Sequence, residues 1–255
     1  MRAIVTIALR ELRGMFYSPL AWTLLAVLFA ICAYMFNAGV LSYQIQMLEY
    51  QTYGMRGGLP LTERTIAPML GNAAVLLLLL MPLLSMRLIA EEKRQGTWPA
   101  LACSPISPTG IILGKYLGLL LFLGIAVGLL ALPPLTLYAY GNPDTGQFLA
   151  GLLGLFLTAA AFGAVGLAAS SATEHPNVAA VVSFGVLLML WILSWMGNAS
   201  GGTVDKMLAY FSLMNHYQNF LSGVISSADL SYFLLLSAAG LLFARQRLMA
   251  DRVQG

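Results

Sequence analysis

The sequence predicts an all-α, polytopic membrane protein with six transmembrane helices, an N-terminal interfacial helix and both termini in the cytoplasm. Of its 255 residues, 59% are hydrophobic and 9% are charged, whereas about 25% of a typical soluble domain is charged. The apolar residues gather into six long runs, and the charges lie between them. Because a soluble domain of this size needs a charged surface, this composition excludes a water-soluble fold.

The first five apolar runs are long enough to span a membrane, since roughly 20 helical residues cross a hydrocarbon core of about 30 Å. The first run opens with Ser18 and Pro19, and proline is favoured at the first position of a helix. The sixth run, Leu230–Ala244, is short, so we expect its helix to borrow preceding residues. Residues 1–255 therefore form one transmembrane domain with spans at about 19–41, 67–88, 111–132, 148–171, 178–196 and 228–244.

Residues 1–17 predict a helix that lies along the cytoplasmic leaflet. Its apolar side chains share one helical face, whereas Arg2, Arg10, Glu11 and Arg13 are predicted to lie elsewhere. A cleaved signal peptide fits less well, because the apolar run that follows is longer than the usual 7–15 residues. An ordinary basic anchor in front of a membrane helix explains the periodicity equally well. The apolar face consists of Ile4, Ile7, Ala8, Leu12 and Met15.

The distribution of lysine and arginine predicts the orientation in the membrane. With six spans, both termini lie on one side, together with the connections after the second and fourth spans. Ten of the 13 basic residues fall on that side, and three fall on the other. Cytoplasmic loops carry the excess of basic residues, so the termini are expected in the cytoplasm. The ten are Arg2, Arg10, Arg13, Arg87, Lys93, Arg94, Lys115, Arg245, Arg247 and Arg252; the three are Arg56, Arg64 and Lys206.

The sequence lacks motifs for ion coupling, nucleotide binding and metal binding. No ionisable residue falls in the central part of a span, where ion-coupled carriers usually place one. The segment from Gly110 to Tyr116 has three residues between its glycines and tyrosine after Lys115, whereas a nucleotide-binding loop needs four residues and then Ser or Thr. His175 and His216 lack metal-ligand spacing. We therefore expect no catalytic, cofactor-binding or metal-binding residue in this chain, and no nucleic-acid partner.

The most distinctive segment is the predicted cytoplasmic connection 89–110. It begins as a charged helical end, stops at Gly96 and re-enters the membrane near Ile111, as expected for a helix ended by glycine. On charge alone, it is a solvated hairpin between two membrane helices.

The residues of this connection also resemble a known family. The run EEKRQGT at 91–97, the Ser-Pro-Ile-Ser turn at 104–107 and ILGKYLG at 112–118 resemble the coupling region of ABC-2-type permeases, most closely the gliding-motility (Gld) branch. Segments 17–22, 166–180 and 215–232 resemble the same branch in matching order. The sequence departs from the pattern at Trp98-Pro99-Ala100, where Leu-Glu-Leu is usual, and at His175-Pro176, where a polar pair without proline is commoner.

This resemblance implies a permease subunit of an ABC transporter in the bacterial inner membrane. A separate cytoplasmic ABC ATPase would bind ATP and Mg, and a second copy or a Gld-type companion with an extracytoplasmic domain would complete the permease. The coupling residues carried over from the family are Glu91, Glu92, Lys93, Arg94, Gln95, Gly96 and Thr97.

The segment Met207–Ser227 is a second candidate site. In related permeases this region forms re-entrant outer helices near the exit of the translocation path, which implies an outer gate. An amphipathic segment resting at the outer interface explains the pattern equally well. The candidate gate residues are Tyr210, Phe211, His216, Tyr217 and Phe220.

Three functions agree with the sequence. The first is export of a substrate, driven by the partner ATPase. The second is mechanical transmission of ATP-driven motion to an envelope component without solute transport. The third is an unrelated six-helix scaffold or carrier.

Overall fold

Helices form nearly all of the residues that the computed structural model describes, namely 2–52, 60–97, 107–139, 141–196 and 210–254. No β-strand occurs within these ranges. The α-helices are α1 (Arg2–Tyr17), α2 (Pro19–Thr52), α3 (Ala67–Ser85), α4 (Ala90–Arg94), α5 (Pro108–Leu130), α6 (Leu132–Leu135), α7 (Thr145–Ala172), α8 (Pro176–Met196), α9 (Leu213–Leu221) and α10 (Ser227–Gln254). A π-helical turn, Thr62–Ile66, leads into α3, and a 3-10 turn, Thr136–Ala139, follows α6.

Six of these segments are long and apolar enough to cross a membrane, which confirms the predicted fold class. The first membrane-spanning helix, α2, continues to Thr52, so Tyr43 and Tyr50 are helical. The outer connection therefore begins later than the end of the predicted span. The last helix begins at Ser227, so it does borrow the residues before Leu230. Residues 98–106 of the predicted cytoplasmic connection and the residues Met207–Ala209 lie outside the described ranges.

Short polar side chains fix where several helices begin. Ser107 precedes Pro108 and accepts a hydrogen bond from the Gly110 amide at the start of α5. Asp144 accepts hydrogen bonds from the Gly146 and Gln147 amides at the start of α7. Such caps satisfy amides that have no partner within the helix, which matters most where little water is present.

Helix α7 lies at the centre of the bundle, because its small residues let neighbouring helices approach closely. A Cβ atom on Gly154 would lie 2.5 Å from Phe220 Cβ, and one on Gly163 would lie 2.6 Å from Leu119 Cδ2. On a third neighbour, a Cβ on Gly240 of α10 would lie 2.8 Å from the Ala164 carbonyl oxygen. In a membrane, close van der Waals packing of this kind replaces the hydrophobic effect as the attraction between helices.

Helix α1 packs along the first half of α5, and Gly114 and Gly118 make the approach possible. A Cβ atom would lie 2.8 Å from Ile7 Cβ at Gly114, and 2.8 Å from the Ala8 carbonyl oxygen at Gly118. The packed face includes Glu11, which is partly buried. The prediction that Glu11 lies away from the apolar face was therefore wrong: residues 4, 7, 8, 11, 12 and 15 share one side of a helix.

We predict that Gly118→Ala destabilises the protein by about 1–3 kcal/mol, because the added methyl group meets backbone atoms of α1 that cannot move independently. The measurement is thermal unfolding in mild detergent. The matched control is Gly128→Ala in the same helix, where an added Cβ meets no atom within 4 Å. Equal melting temperatures for the two variants would contradict the α1–α5 packing.

Candidate coupling and outer sites

Helix α4, which holds the first four predicted coupling residues, is attached to the bundle at its beginning. The Ser170 hydroxyl of α7 accepts hydrogen bonds from the amides of Ile89 (3.1 Å) and Ala90 (2.9 Å). The same hydroxyl donates to the Met86 carbonyl at 2.9 Å. One buried serine therefore satisfies both donors and an acceptor of the turn into α4, and holds that turn against α7.

The other end of α4 is also defined by backbone geometry. Gly96 has a φ of +68°, a left-handed conformation that glycine adopts at low cost after a helix. The amides of Gly96 and Thr97 donate to the carbonyls of Lys93 (3.1 Å) and Glu92 (3.0 Å). The sequence-predicted stop at Gly96 is confirmed. Lys93 donates from Nζ to the Ser171 carbonyl at 2.7 Å, close to the negative end of the α7 dipole.

A buried lysine joins α4 to two further helices. Lys115 of α5 is only 2% exposed, and its Nζ lies 2.6 Å from Glu11 Oε1 and 2.8 Å from Glu92 Oε1. A buried ammonium group is stable only when it is paired and hydrogen-bonded. We call Glu11, Glu92 and Lys115 the ionic cluster; it ties α1, α4 and α5 together.

The ionic cluster has one unfilled hydrogen-bonding position. Glu92 Oε2 is buried and has no hydrogen-bond partner among the described residues. Two carboxylates face one ammonium group, so the cluster carries one negative charge in excess.

The seven predicted coupling residues thus divide into two that are bonded to the bundle and five that are more exposed. Glu92 and Lys93 are partly buried and bonded to α5 and α7, so they position the segment. Glu91 is partly exposed, and its carboxylate lies 3.9 Å from Arg87 Nε. The remaining four, Arg94, Gln95, Gly96 and Thr97, are exposed.

At the opposite end of the bundle, the predicted gate residues also divide into exposed and buried ones. Tyr210 and Phe211 are 61% and 60% exposed, whereas Tyr217 and Phe220 are fully buried. The Tyr217 hydroxyl donates to the Leu70 carbonyl of α3 at 2.8 Å, and burial raises the pKa of this phenol, which keeps it protonated. Phe220 packs on Gly154 of α7. The buried pair therefore fixes α9 to the bundle.

His216 has a partner that the sequence did not reveal. Its Nδ1 lies 2.5 Å from Asp229 Oδ1, and its Nε2 lies 2.8 Å from the Tyr210 carbonyl oxygen. Both ring nitrogens thus lie within hydrogen-bonding distance of an oxygen atom. Asn219 donates to the other oxygen of Asp229 at 3.0 Å, and the Tyr232 ring stacks on His216 at 4.2 Å.

Several residues of these sites were missed because their partners are distant in sequence. Ser170 lies 80 residues from the Ala90 amide, and Glu11 lies 104 residues from Lys115. The register of Glu11 with Ile4, Ile7 and Ala8 was the signal that could have revealed it. For Asp229, the signal was a carboxylate in the first turn of a membrane span, where it needs a partner. Within the described ranges, no group of three or more His, Cys, Asp or Glu residues is arranged to hold a metal.

We predict that Lys115→Met destabilises the protein by about 3 kcal/mol, because it leaves two partly buried carboxylates without their cation. Adding Glu11→Gln and Glu92→Gln to this variant should restore part of the loss. Thermal unfolding in detergent measures both effects. Arg94→Met, which removes an exposed charge of the same segment, is the control, and a loss equal to that of Lys115→Met would contradict the role of the ionic cluster.

Comparison with known proteins agrees with this architecture. A family model described as "ABC-2 family transporter protein" matches residues 5–245, which cover five membrane-spanning helices, most of the sixth, and both candidate sites. Among curated proteins, none matches the chain. Since the family match spans nearly the whole sequence, this multi-pass membrane protein belongs to the ABC-2 family of transporter proteins.

Proposed function

We propose that the chain is the permease subunit of an ABC exporter in the bacterial inner membrane, and that a separate cytoplasmic ABC ATPase, which binds ATP and Mg, drives it. The observation that carries this proposal is the construction of α4. Its beginning is fixed to α7 and its middle to α5 and α1, while its end is exposed and charged. A short helix of this kind suits the transmission of motion from an external motor to a membrane bundle.

In this mechanism, α4 moves together with the helices that hold it. Ser170 and Lys93 connect α4 to α7, and Glu92 connects it to Lys115 of α5. Displacement of the exposed end by a closing ATPase would therefore shift α1, α5 and α7 as a group. Rigid-body movement of packed helices between two arrangements is a common form of conformational switching.

The composition of the exposed end suits a contact that re-forms in each cycle. Glu91, Arg94 and Gln95 offer charge and hydrogen bonds without a large apolar surface. Electrostatic complementarity favours rapid and specific association more than a permanent complex. We therefore assign the direct contact with the ATPase to Glu91 and Arg94–Thr97, and the positioning of that contact to Glu92 and Lys93.

We propose that only two of the five predicted gate residues form the gate itself. Tyr217 and Phe220 anchor α9, and the bonded pair His216 and Asp229 joins it to α10. The aromatic side chains of Tyr210 and Phe211, which precede α9, are exposed and can reorient, while the carbonyls of these two residues stay bonded to His216 and Tyr232. They are proposed as the gate, and the other three predicted gate residues as its support.

The complete permease is proposed to contain a second membrane subunit. Helices α2 and α10 bury little of their surface within the chain, which leaves room for a neighbour in the membrane. The neighbour is a second copy of the chain or a Gld-type companion with an extracytoplasmic domain, as the sequence resemblance implies.

We predict that Glu91→Lys and Arg94→Glu together reduce co-purification of the ATPase about tenfold or more, since like charges across an interface cost several kcal/mol. The melting temperature of the permease should stay unchanged, because both side chains project from the bundle. The measurement is affinity purification from the native host in mild detergent, followed by an assay of ATP hydrolysis in the eluate.

Arg64→Glu, at the opposite end of the bundle, is the control for this charge reversal. Normal recovery of the ATPase with the double variant would remove Glu91 and Arg94 from the coupling contact. Absence of any nucleotide-hydrolysing partner in the eluate of the unmodified protein would contradict the proposed function as a whole.

We predict for the outer gate that a single cysteine at Phe211 changes its labelling rate with a membrane-impermeant maleimide when the ATPase is trapped with ATP. A cysteine at Ser222, which is exposed beyond the C-terminal end of α9, should label at the same rate in both states. A constant rate at Phe211 would show that this segment is a static surface.

A further inference from the structure

A cleft beside the ionic cluster has the chemistry of a binding site for a membrane lipid. Its volume is about 430 Å³, within the usual range of ligand sites. It lies between the end of α1, the beginning of α2, the end of α3 and α4. Its lining includes the charged residues Arg10, Glu11, Arg87, Glu91, Glu92 and Lys115.

The floor of the cleft is apolar. Leu20 and Ala21 of α2 face Leu83 and Leu84 of α3 across it. The floor continues into an exposed apolar stripe on α3, where Val75, Leu79 and Leu83 are each partly open to the membrane. Residues four apart lie above one another on a helix, so the stripe runs along the helix axis. An acyl chain placed on this stripe would have its polar end at the charged rim.

The rim of the cleft carries balanced charges of both signs. Arg10 has no ion-pair partner among the described residues, and Arg87 reaches Glu91 only at 3.9 Å, with both side chains well exposed. These two guanidinium groups are available to a phosphate, which arginine binds well. On the acidic side, Lys115 neutralises only part of the charge of Glu11 and Glu92. Three positive and three negative side chains favour a ligand that is itself zwitterionic.

The carboxylates at the rim of the cleft distinguish between zwitterionic lipids. Glu91 and Glu92 both line the cleft, and the Glu91 carboxylate is well exposed there. A primary ammonium group offers three N–H donors to a carboxylate oxygen, whereas a trimethylammonium group offers none. We propose that the cleft binds one phosphatidylethanolamine molecule, with its phosphate at Arg10 and Arg87, its ammonium group at Glu91 and Glu92, and an acyl chain along the α3 stripe.

This inference goes beyond the transport proposal and does not depend on it, because it uses only the cleft and the location of its apolar floor on membrane-spanning helices. The bound lipid would connect α1, α3 and α4 at the membrane boundary. It would also satisfy the excess negative charge of the ionic cluster.

Native mass spectrometry of the full-length protein, delipidated and then mixed with equal amounts of phosphatidylethanolamine and phosphatidylcholine, tests the proposal. We expect about tenfold more bound phosphatidylethanolamine, since one charge-assisted hydrogen bond corresponds to about that ratio. Glu91→Gln and Arg87→Gln should each reduce the bound amount several-fold. Arg64→Gln, at the other end of the bundle, should leave it unchanged.

Several results would overturn the proposal. Equal binding of the two lipids would show that the carboxylates at the rim contact no headgroup donor. Stronger binding of phosphatidylglycerol than of phosphatidylethanolamine would indicate a site for an anion. Loss of the preference when the ATPase is present would assign the cleft to a segment of the ATPase. Because Arg87 and Glu91 are well exposed, their variants should fold, and an unchanged melting temperature without lipid verifies this.

Discussion

The need to pair the buried ammonium group of Lys115 is the constraint on which the half of the structure that contains α4 depends. The ammonium group is buried at the beginning of a membrane-spanning helix, where a lone charge is unstable. Glu11 and Glu92 are its partners, at 2.6 and 2.8 Å. To supply them, α1 must lie along α5 and α4 must turn back toward the bundle. Gly114 and Gly118 make the first approach possible, and Ser170 stabilises the second. Packing and electrostatics thus select the same arrangement.

The opposite half of the structure, which contains α9, is organised by a similar buried polar pair. His216 and Asp229 join α9 to α10, while Tyr217 and Phe220 fix α9 to α3 and α7. Both ends of the bundle therefore carry a short helix fixed by buried polar contacts, with exposed residues beside it. Helix α7 connects the two ends, since it packs on Phe220 near one end and holds the α4 turn through Ser170 at the other. The proposed movement of α4 would reach α9 through these contacts of α7.

The sequence was sufficient for the features that depend on local pattern. Apolar runs of the right length identified the six spans, and Gly96 marked the end of α4. Pattern was insufficient for contacts between distant residues. The charge of Glu11 favours the solvated side of α1, whereas its register puts it on the packed face. Likewise, local pattern does not pair His216 with Asp229, because Asp229 lies on another helix. The pattern of the seven predicted coupling residues does not distinguish Glu92 and Lys93, which bind α5 and α7, from the other five.

The central claim is that α4 and α5 move as one rigid unit between the ATPase and the membrane-spanning bundle. The most direct test is a distance measurement between spin labels at Gln95, beyond the end of α4, and Leu117, which is 40% exposed on α5. The measurement is made by pulsed electron paramagnetic resonance on the complex with its ATPase, with and without trapped ATP. A distance that is the same in both nucleotide states is predicted. A second distance population that appears only with ATP would show that α4 moves independently of α5, and would contradict the claim.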